Sequence, residues 1–101
     1  MNEGDLVGMH GWLLMRIRER AGWSRPRMAA MMERTRQWEG DPVTVRSLLR
    51  YEDMNEVPPL FAKRYRDLIG HEVFDRLYEH LRDYQKDDAI NNTQRRRMQD
   101  D

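Results

Sequence analysis

The sequence has no cysteine among its 101 residues. This absence excludes disulfides, thiol nucleophiles and zinc-thiolate sites together. Long apolar runs are also missing, because the longest, residues 12–15 and 28–32, fall far short of the ~20 residues that a bilayer requires. The first residues lack the cationic start and apolar core of a signal peptide. We therefore expect a cytoplasmic protein without a membrane span.

Candidate catalytic residues are equally sparse. His10, His71 and His80 are scattered, and the last two are spaced so that they fall on opposite faces of a helix. The sequence has no HExxH motif, no glycine-rich phosphate loop and no nucleophile beside a base. We expect a protein that is not an enzyme and that has no cofactor and no metal site.

The chain also has no net charge, since 18 basic residues balance 18 acidic ones. The distribution is uneven, because residues 16–36 contain seven arginines and only two glutamates. Nearly all the basic residues are arginine, whose planar fork binds phosphates and carboxylates alike. The bias indicates a chemistry of recognition and leaves the partner open.

Helical spacing of the apolar residues predicts an all-α protein. Gly22 is placed to end the first helix, Ser24 to cap the second, and either Asp41 or Thr44 to cap the third. Five helices are expected, over about residues 10–21, 24–38, from 41 or 44 to 54, 59–69 and 72–86.

A single domain is expected over residues 1–86, with a core over 10–69 and a C-terminal helix over 71–86. Residues 87–101 are polar and are predicted to be a disordered tail. The C-terminal helix has an apolar stripe that could complete the core of the monomer or form a two-fold dimer seam. We favour the seam, which would consist of Val73, Phe74, Leu77, Leu81 and Tyr84.

The order of short motifs between residues 13 and 69 is the strongest functional signal. They comprise Leu14, Ile17, Arg18 and Gly22; then Ser24, Met28 and Ala29; then Val43, Thr44, Leu48, Tyr51 and Glu52; and finally Pro58 and Pro59. In this order they resemble the Xre family of helix-turn-helix proteins, the Cro and phage-repressor type. The resemblance implies a lambda-repressor-like helix-turn-helix domain that binds double-stranded DNA as a homodimer and regulates transcription.

One interval departs from the family. Ser24 and Tyr51 are 27 residues apart, so extra residues around 33–41 lengthen the connection between the second and third helices. Trp38 and Glu39 also match the aromatic-glutamate pair of the motif, but they lack the apolar residues that should precede it. We therefore assign the pair to Tyr51 and Glu52.

The resemblance also implies roles for individual residues. Arg18 and Glu52 would form a buried or half-buried ion pair between the first and third helices. The third helix would read bases, Arg50 would lie near a phosphate, and arginines of the second helix would position the DNA backbone. The implied base-reading residues are Thr44, Val45, Arg46 and Leu49, with Arg46 on guanine and the apolar pair on thymine methyls, and the implied backbone contacts are Arg25, Arg27 and Arg36.

A second interpretation stays open. If Val45 and Leu49 belong to the core, the third helix is buried on too many sides to read DNA. The rival class of function is a protein-interaction module on the same fold, such as a phage-encoded inhibitor of a host protein or an antitoxin. Zero net charge, the lengthened connection and the apolar residues at the reading positions favour this alternative.

Overall fold

A computed structural model of the chain describes residues 3–36 and 42–82. Within these ranges the protein is all-helical and has no strand, which confirms the predicted all-α fold of about five helices. No helix in these two described ranges has the length and apolar character needed to cross a membrane. The elements are a short 3-10 helix Glu3–Leu6 followed by α1 Gly11–Arg20, α2 Arg25–Arg34, α3 Val45–Glu52, α4 Pro59–Ile69 and α5 His71–Leu81.

Local side-chain chemistry sets where the first three helices begin. The hydroxyl of Ser24 accepts from the backbone N–H of Arg27 at 3.2 Å and caps α2, as predicted. Of the two predicted caps for α3, Thr44 performs the role, in a reciprocal capping box with Ser47. His10 caps α1, because its Nδ1 accepts from the backbone N–H of Trp12 at 3.1 Å.

The cap at His10 makes the start of α1 sensitive to pH. Burial lowers the pKa of His10 below 6.5 despite opposing effects of Asn55 and Asp53. The unfolded chain therefore binds the proton more tightly, so stability that is present above pH 6.5 is lost as the pH falls towards the lower pKa of the folded state. Protonation of Nδ1 would also remove the acceptor that caps the helix.

We expect the free energy of unfolding to fall between about pH 7.5 and about pH 5.5, the range in which histidine titrates. In the His10→Asn variant, which keeps a capping oxygen and has no titrating ring, this fall should be smaller. Urea unfolding at both pH values measures the difference between the two proteins. An equal fall in both would show that His10 does not carry the effect.

The predicted continuation of α2 to Trp38 is wrong, because the helix ends at Arg34. The hydroxyl of Thr35 donates back to the carbonyl of Met31 at 2.7 Å, and Arg64 of α4 donates to the carbonyl of Thr35 at 2.8 Å. The acceptor that the next helical turn would use is thus bound by another helix. Trp38 and Asp41 lie outside the described residues.

The core lies around α1, which packs against α3, α4 and α5, while α2 packs against α3 and α4. Methionines of α2 fill part of this space, as their flexible side chains are suited to do. The largest side chains that are fully buried are Leu13, Leu14, Ile17, Met28, Met32, Leu48, Tyr65 and Phe74.

The start of α1 meets the end of α3 backbone to backbone. The N–H of Gly11 donates to the carbonyl of Met54 at 2.9 Å, and the N–H of Val57 donates to the carbonyl of Met9 at 2.9 Å. A Cβ atom at Gly11 would lie 2.7 Å from the carbonyl carbon of Glu52, which no unstrained structure allows. Only glycine permits this approach.

The α4–α5 corner turns at Gly70, whose φ is 107°, and Arg66 and Asp75 tie the two helices together through two hydrogen bonds of 2.8 and 2.9 Å. This corner folds α5 back onto the core. Two of the five residues predicted for a dimer seam, Phe74 and Leu81, are consequently core residues of the monomer and not part of a surface stripe.

The rest of the predicted seam is smaller than expected. Val73 is exposed and Leu77 is partly buried against the core. Tyr84 and the predicted extension of this helix to residue 86 lie outside the described residues. A periodic apolar stripe looks the same in sequence whether it covers a core or a second subunit, so the pattern alone did not distinguish the two.

Candidate nucleic-acid interface

One face of α3 is fixed to the rest of the protein. Leu48 is fully buried, and Tyr51 stacks on Phe61 of α4 with ring centroids 4.3 Å apart. Glu52, at the last turn, is also buried. These contacts hold the helix along its length by one side only.

The opposite face of α3 is exposed. Val45 and Leu49 expose 38% and 48% of their surface, so the hypothesis that they are core residues is wrong. Arg46 and Arg50 are exposed beside them. Arg46 forms no ion pair with a described residue, and the guanidinium of Arg50 lies 5.4 Å from the ring centre of Tyr51. The four residues make a mixed apolar and cationic surface without an acidic member, which we call the reading face.

Thr44, the fourth residue assigned to base reading, is exposed at the N-cap position of α3. Its hydroxyl accepts from the N–H of Ser47 at 3.2 Å and lies 3.1 Å from the hydroxyl of Ser47. It is therefore engaged in starting the helix.

The structure brings Arg18 and Glu52 together. Arg18 Nε donates to Glu52 Oε2 at 2.7 Å, and Arg18 Nη2 donates to Glu52 Oε1 at 3.2 Å. Arg18 Nη1 donates to the carbonyl of Trp23 at 2.7 Å. Both residues are about 95% buried, with 4% and 5% of their surfaces exposed. Burial acts to lower the pKa of Arg18, but the hydrogen bond and charge of Glu52 outweigh it and raise that pKa.

Two further donors complete the environment of Glu52, and sequence reasoning missed both. Arg25 Nε donates to Oε1 at 3.0 Å, and the hydroxyl of Tyr65 donates to Oε2 at 2.6 Å. Burial and the charge of Glu52 raise the pKa of Tyr65, which keeps its hydroxyl protonated as a donor. One carboxylate of α3 thus accepts hydrogen bonds from α1, α2 and α4. We call Arg18, Arg25, Glu52 and Tyr65 the Glu52 network.

A signal for Tyr65 was available in the sequence, because a tyrosine on the inward face of a helix needs a partner for its hydroxyl. No comparable signal existed for Arg25, which was assigned to a DNA phosphate. Its guanidinium is instead engaged with Glu52 and lies 3.5 Å from the sulfur of Met15.

The other two arginines that were predicted to contact the DNA backbone differ in whether their side chains are free of an acidic partner. Arg27 is exposed, and its guanidinium lies 4.0 Å from the ring centre of Trp23. Arg36 pairs with Glu33 at 3.5 Å. Of the three arginines assigned to the DNA backbone, Arg27 alone is exposed without an acidic partner among the described residues.

The arginine-rich segment is therefore less basic at the surface than its sequence indicates. Arg18 and Arg25 surround the buried Glu52, and Arg16 pairs with Glu19 at 3.6 Å. Within the described part of the chain, the exposed arginines of this segment without an ion pair are Arg20, Arg27 and Arg34.

The long connection between α2 and α3 is anchored at both of its ends. Arg64 of α4 binds Thr35 at its start, and Glu33 Oε2 accepts from the N–H of Val43 at 2.8 Å near its end. In the described ranges α2 ends at Arg34 and α3 begins at Val45, so the two helices are too far apart in sequence for a tight turn, as the Ser24–Tyr51 interval predicts. The anchors hold α2 and α3 in place without a short turn between them.

No group of three or more histidine, aspartate or glutamate side chains that could hold a metal ion occurs in the described ranges. No family model, curated protein or solved structure matches this chain. The resemblance to the Xre family consequently depends on the order of the motifs.

Proposed function

We propose that the protein is a small sequence-specific DNA-binding regulator, similar to phage or plasmid repressors, with α3 as the helix that enters the major groove. The observation that carries the proposal is the reading face. It is exposed, it contains two arginines and no carboxylate, and the helix that bears it is held from the opposite side.

The dimensions of α3 are compatible with this role. An α-helix with its side chains is about 10 to 12 Å across, and the major groove of B-DNA, about 12 Å wide, admits it. In that position Arg46 would bind guanine through its two parallel donors. Arg50 at the far end of the helix and Arg27 at the start of α2 would contact phosphates.

The Glu52 network supports the proposal because readout requires a rigid helix. A base contact is productive only if the side chain is held within a fraction of an ångström of its place. Glu52 connects the end of α3 to three other helices through charge-assisted hydrogen bonds. Such bonds would keep the reading face at one angle to the DNA.

Two substitutions separate base readout from backbone positioning. Arg46→Ala should lose about 1 to 3 kcal/mol of affinity for a selected duplex and little for a scrambled one. Arg27→Ala should weaken both duplexes alike and reduce the salt slope by about 1. Fluorescence anisotropy over a series of salt concentrations measures both effects.

The matched control is Arg20→Ala, an exposed arginine at the end of α1 outside the proposed contacts with DNA and with a second subunit. It should leave both affinities unchanged. Equal binding of the wild-type protein to selected and scrambled duplexes would contradict the proposal. Arg25→Ala is unsuitable for this test, because Arg25 is part of the Glu52 network.

The second candidate is a protein-interaction module, such as a phage-encoded inhibitor of a host protein or an antitoxin. The exposed apolar side chains of Val45 and Leu49 favour it, together with the zero net charge. Capture from a host lysate with and without nuclease distinguishes the two functions. A partner that survives nuclease and is lost in Leu49→Ala would favour the module, whereas one that disappears with nuclease would favour DNA.

A homodimer that reads paired half-sites is part of the proposal. With Phe74 and Leu81 in the core, a seam on α5 would depend, among the described residues, on Val73 and Leu77.

A further inference from the structure

We infer that Trp23 is a positioning residue, whose indole ring holds the guanidinium of Arg27 ready for a DNA phosphate without neutralising its charge. This inference rests on the proposed function, in which Arg27 contacts the DNA backbone. Trp23 lies in the turn between α1 and α2. Its effect on binding would be exerted through Arg27 and not by contact with the DNA.

Arg27 and Trp23 have the geometry of a stacked cation and ring. The guanidinium carbon of Arg27 lies 4.0 Å from the ring centre of Trp23, which is van der Waals contact between two flat groups. The other two arginine–aromatic pairs in the described part of the chain are wider, at 5.9 and 5.4 Å. Those distances are close to the outer limit of about 6 Å, and tryptophan is the ring that attracts a cation most strongly.

Stacking leaves Arg27 free to bind an anion. The N–H donors of a guanidinium lie in its plane, so a ring against its face occupies none of them. A carboxylate takes donors and offsets the charge, as in the pairs of Arg25 with Glu52 and of Arg36 with Glu33. Arg27 is exposed and has no acidic partner among the described residues. It therefore keeps its charge and its parallel donors for a phosphate.

The ring of Trp23 is itself held in place. It is partly buried against the core. The N–H of Trp23 donates to the carbonyl of Arg18 at 3.0 Å, and the carbonyl of Trp23 accepts from Arg18 Nη1 at 2.7 Å. Because Arg18 also donates to Glu52 at the end of α3, the turn that positions Arg27 and the helix that bears the reading face are fixed to the same carboxylate.

The stacked position lowers the entropic cost of the phosphate contact. A long side chain loses rotamer freedom when it is immobilised at an interface. The ring of Trp23 removes part of that freedom before the DNA arrives, so less is lost on binding. This advantage does not depend on base sequence, and it should act equally on every duplex.

The test compares ring variants on a duplex selected from a randomised pool by the full chain and on a scrambled duplex. Trp23→Leu keeps an apolar side chain but removes the aromatic face. We expect it to weaken both duplexes by the same factor, about twofold to fivefold, the size of an exposed cation–π contact. Trp23→Phe keeps a face and should weaken them less. Fluorescence anisotropy measures the affinities, and far-ultraviolet circular dichroism checks that each variant is folded at the assay temperature.

A double-mutant cycle with Arg27→Ala distinguishes positioning from a merely structural role. In the Arg27→Ala background, Trp23→Leu should cause no further loss of affinity, because the side chain through which it acts is gone. The control cycle uses Arg20→Ala, another exposed arginine without an ion pair to a described residue, and there the loss should persist in full. Additive losses with Arg27→Ala would overturn the inference and leave DNA binding intact.

Nuclear magnetic resonance tests the stacked pair in the free protein. Protons above the face of an indole ring are shifted upfield by the ring current. The δ protons of Arg27 should show this shift in the wild type and in Arg20→Ala, and lose it in Trp23→Leu. Unshifted protons in the wild type would overturn the inference without reference to DNA. Failure to select any duplex would overturn the proposed function and this inference with it.

Discussion

Replacing Glu52 by alanine is expected to lower the free energy of unfolding by about 3 to 5 kcal/mol, the usual cost of removing one partner of a buried ion pair. The reason lies in what remains. Arg18 would stay buried with its charge uncompensated, and Tyr65 would lose the acceptor of its hydroxyl. Arg25 retains partial access to water and should suffer less.

Urea unfolding followed by far-ultraviolet circular dichroism measures the loss. Glu52→Gln keeps an oxygen acceptor but not the charge, so its loss should be smaller than that of alanine. Glu56→Ala, which removes an exposed carboxylate nearby in sequence, is the matched control and should change stability by less than about 0.5 kcal/mol.

The Arg18→Ala variant should also unfold more easily, and the double variant should lose less than the sum of the two single losses. Arg18 donates two hydrogen bonds to Glu52, and either single substitution removes both of them. The second substitution therefore has less left to lose. Additive losses would mean that the pair does not contribute in solution as its geometry indicates.

What the sequence could predict was mostly local. Helix starts at Ser24 and Thr44 depend on a hydroxyl and an N–H three residues away, and such short-range signals are legible in a single chain. The meeting of Arg18 with Glu52 is not local. It was expected from the order of motifs, which carries information about the tertiary arrangement that periodicity lacks.

The features that sequence reasoning missed depend on residues far apart in the chain. The end of α2 is set partly by Arg64, 29 residues beyond Thr35, and Arg25 faces a carboxylate 27 residues away. Val45 and Leu49 illustrate the same limit, because two apolar residues on a helix have no mark that separates a core side chain from an exposed one. In each case the partner is determined only once the helices are placed.

The close approach at Gly11 predicts that Gly11→Ala destabilises the protein, whereas helix propensity predicts that it stabilises it. Alanine is a better helix former than glycine by about 1 kcal/mol, so local reasoning expects Gly11→Ala to stabilise α1. The structure predicts the opposite, because the added methyl would overlap backbone atoms of Tyr51 and Glu52. Backbone cannot move aside as a flexible side chain can, so α1 and α3 would have to separate.

We expect Gly11→Ala to lower the free energy of unfolding by at least about 3 kcal/mol, the upper part of the range for an overpacked core. Separation of the helices would also break the hydrogen bond from Gly11 to Met54 and shift Glu52 relative to Arg18. Gly4→Ala is the control, since a Cβ there meets no atom within 4 Å, and it should leave stability nearly unchanged. An unfolding midpoint in urea equal to or higher than that of the wild type would contradict this prediction. It would mean that the start of α1 does not approach the end of α3 this closely, and that the geometry of the Glu52 network is also wrong.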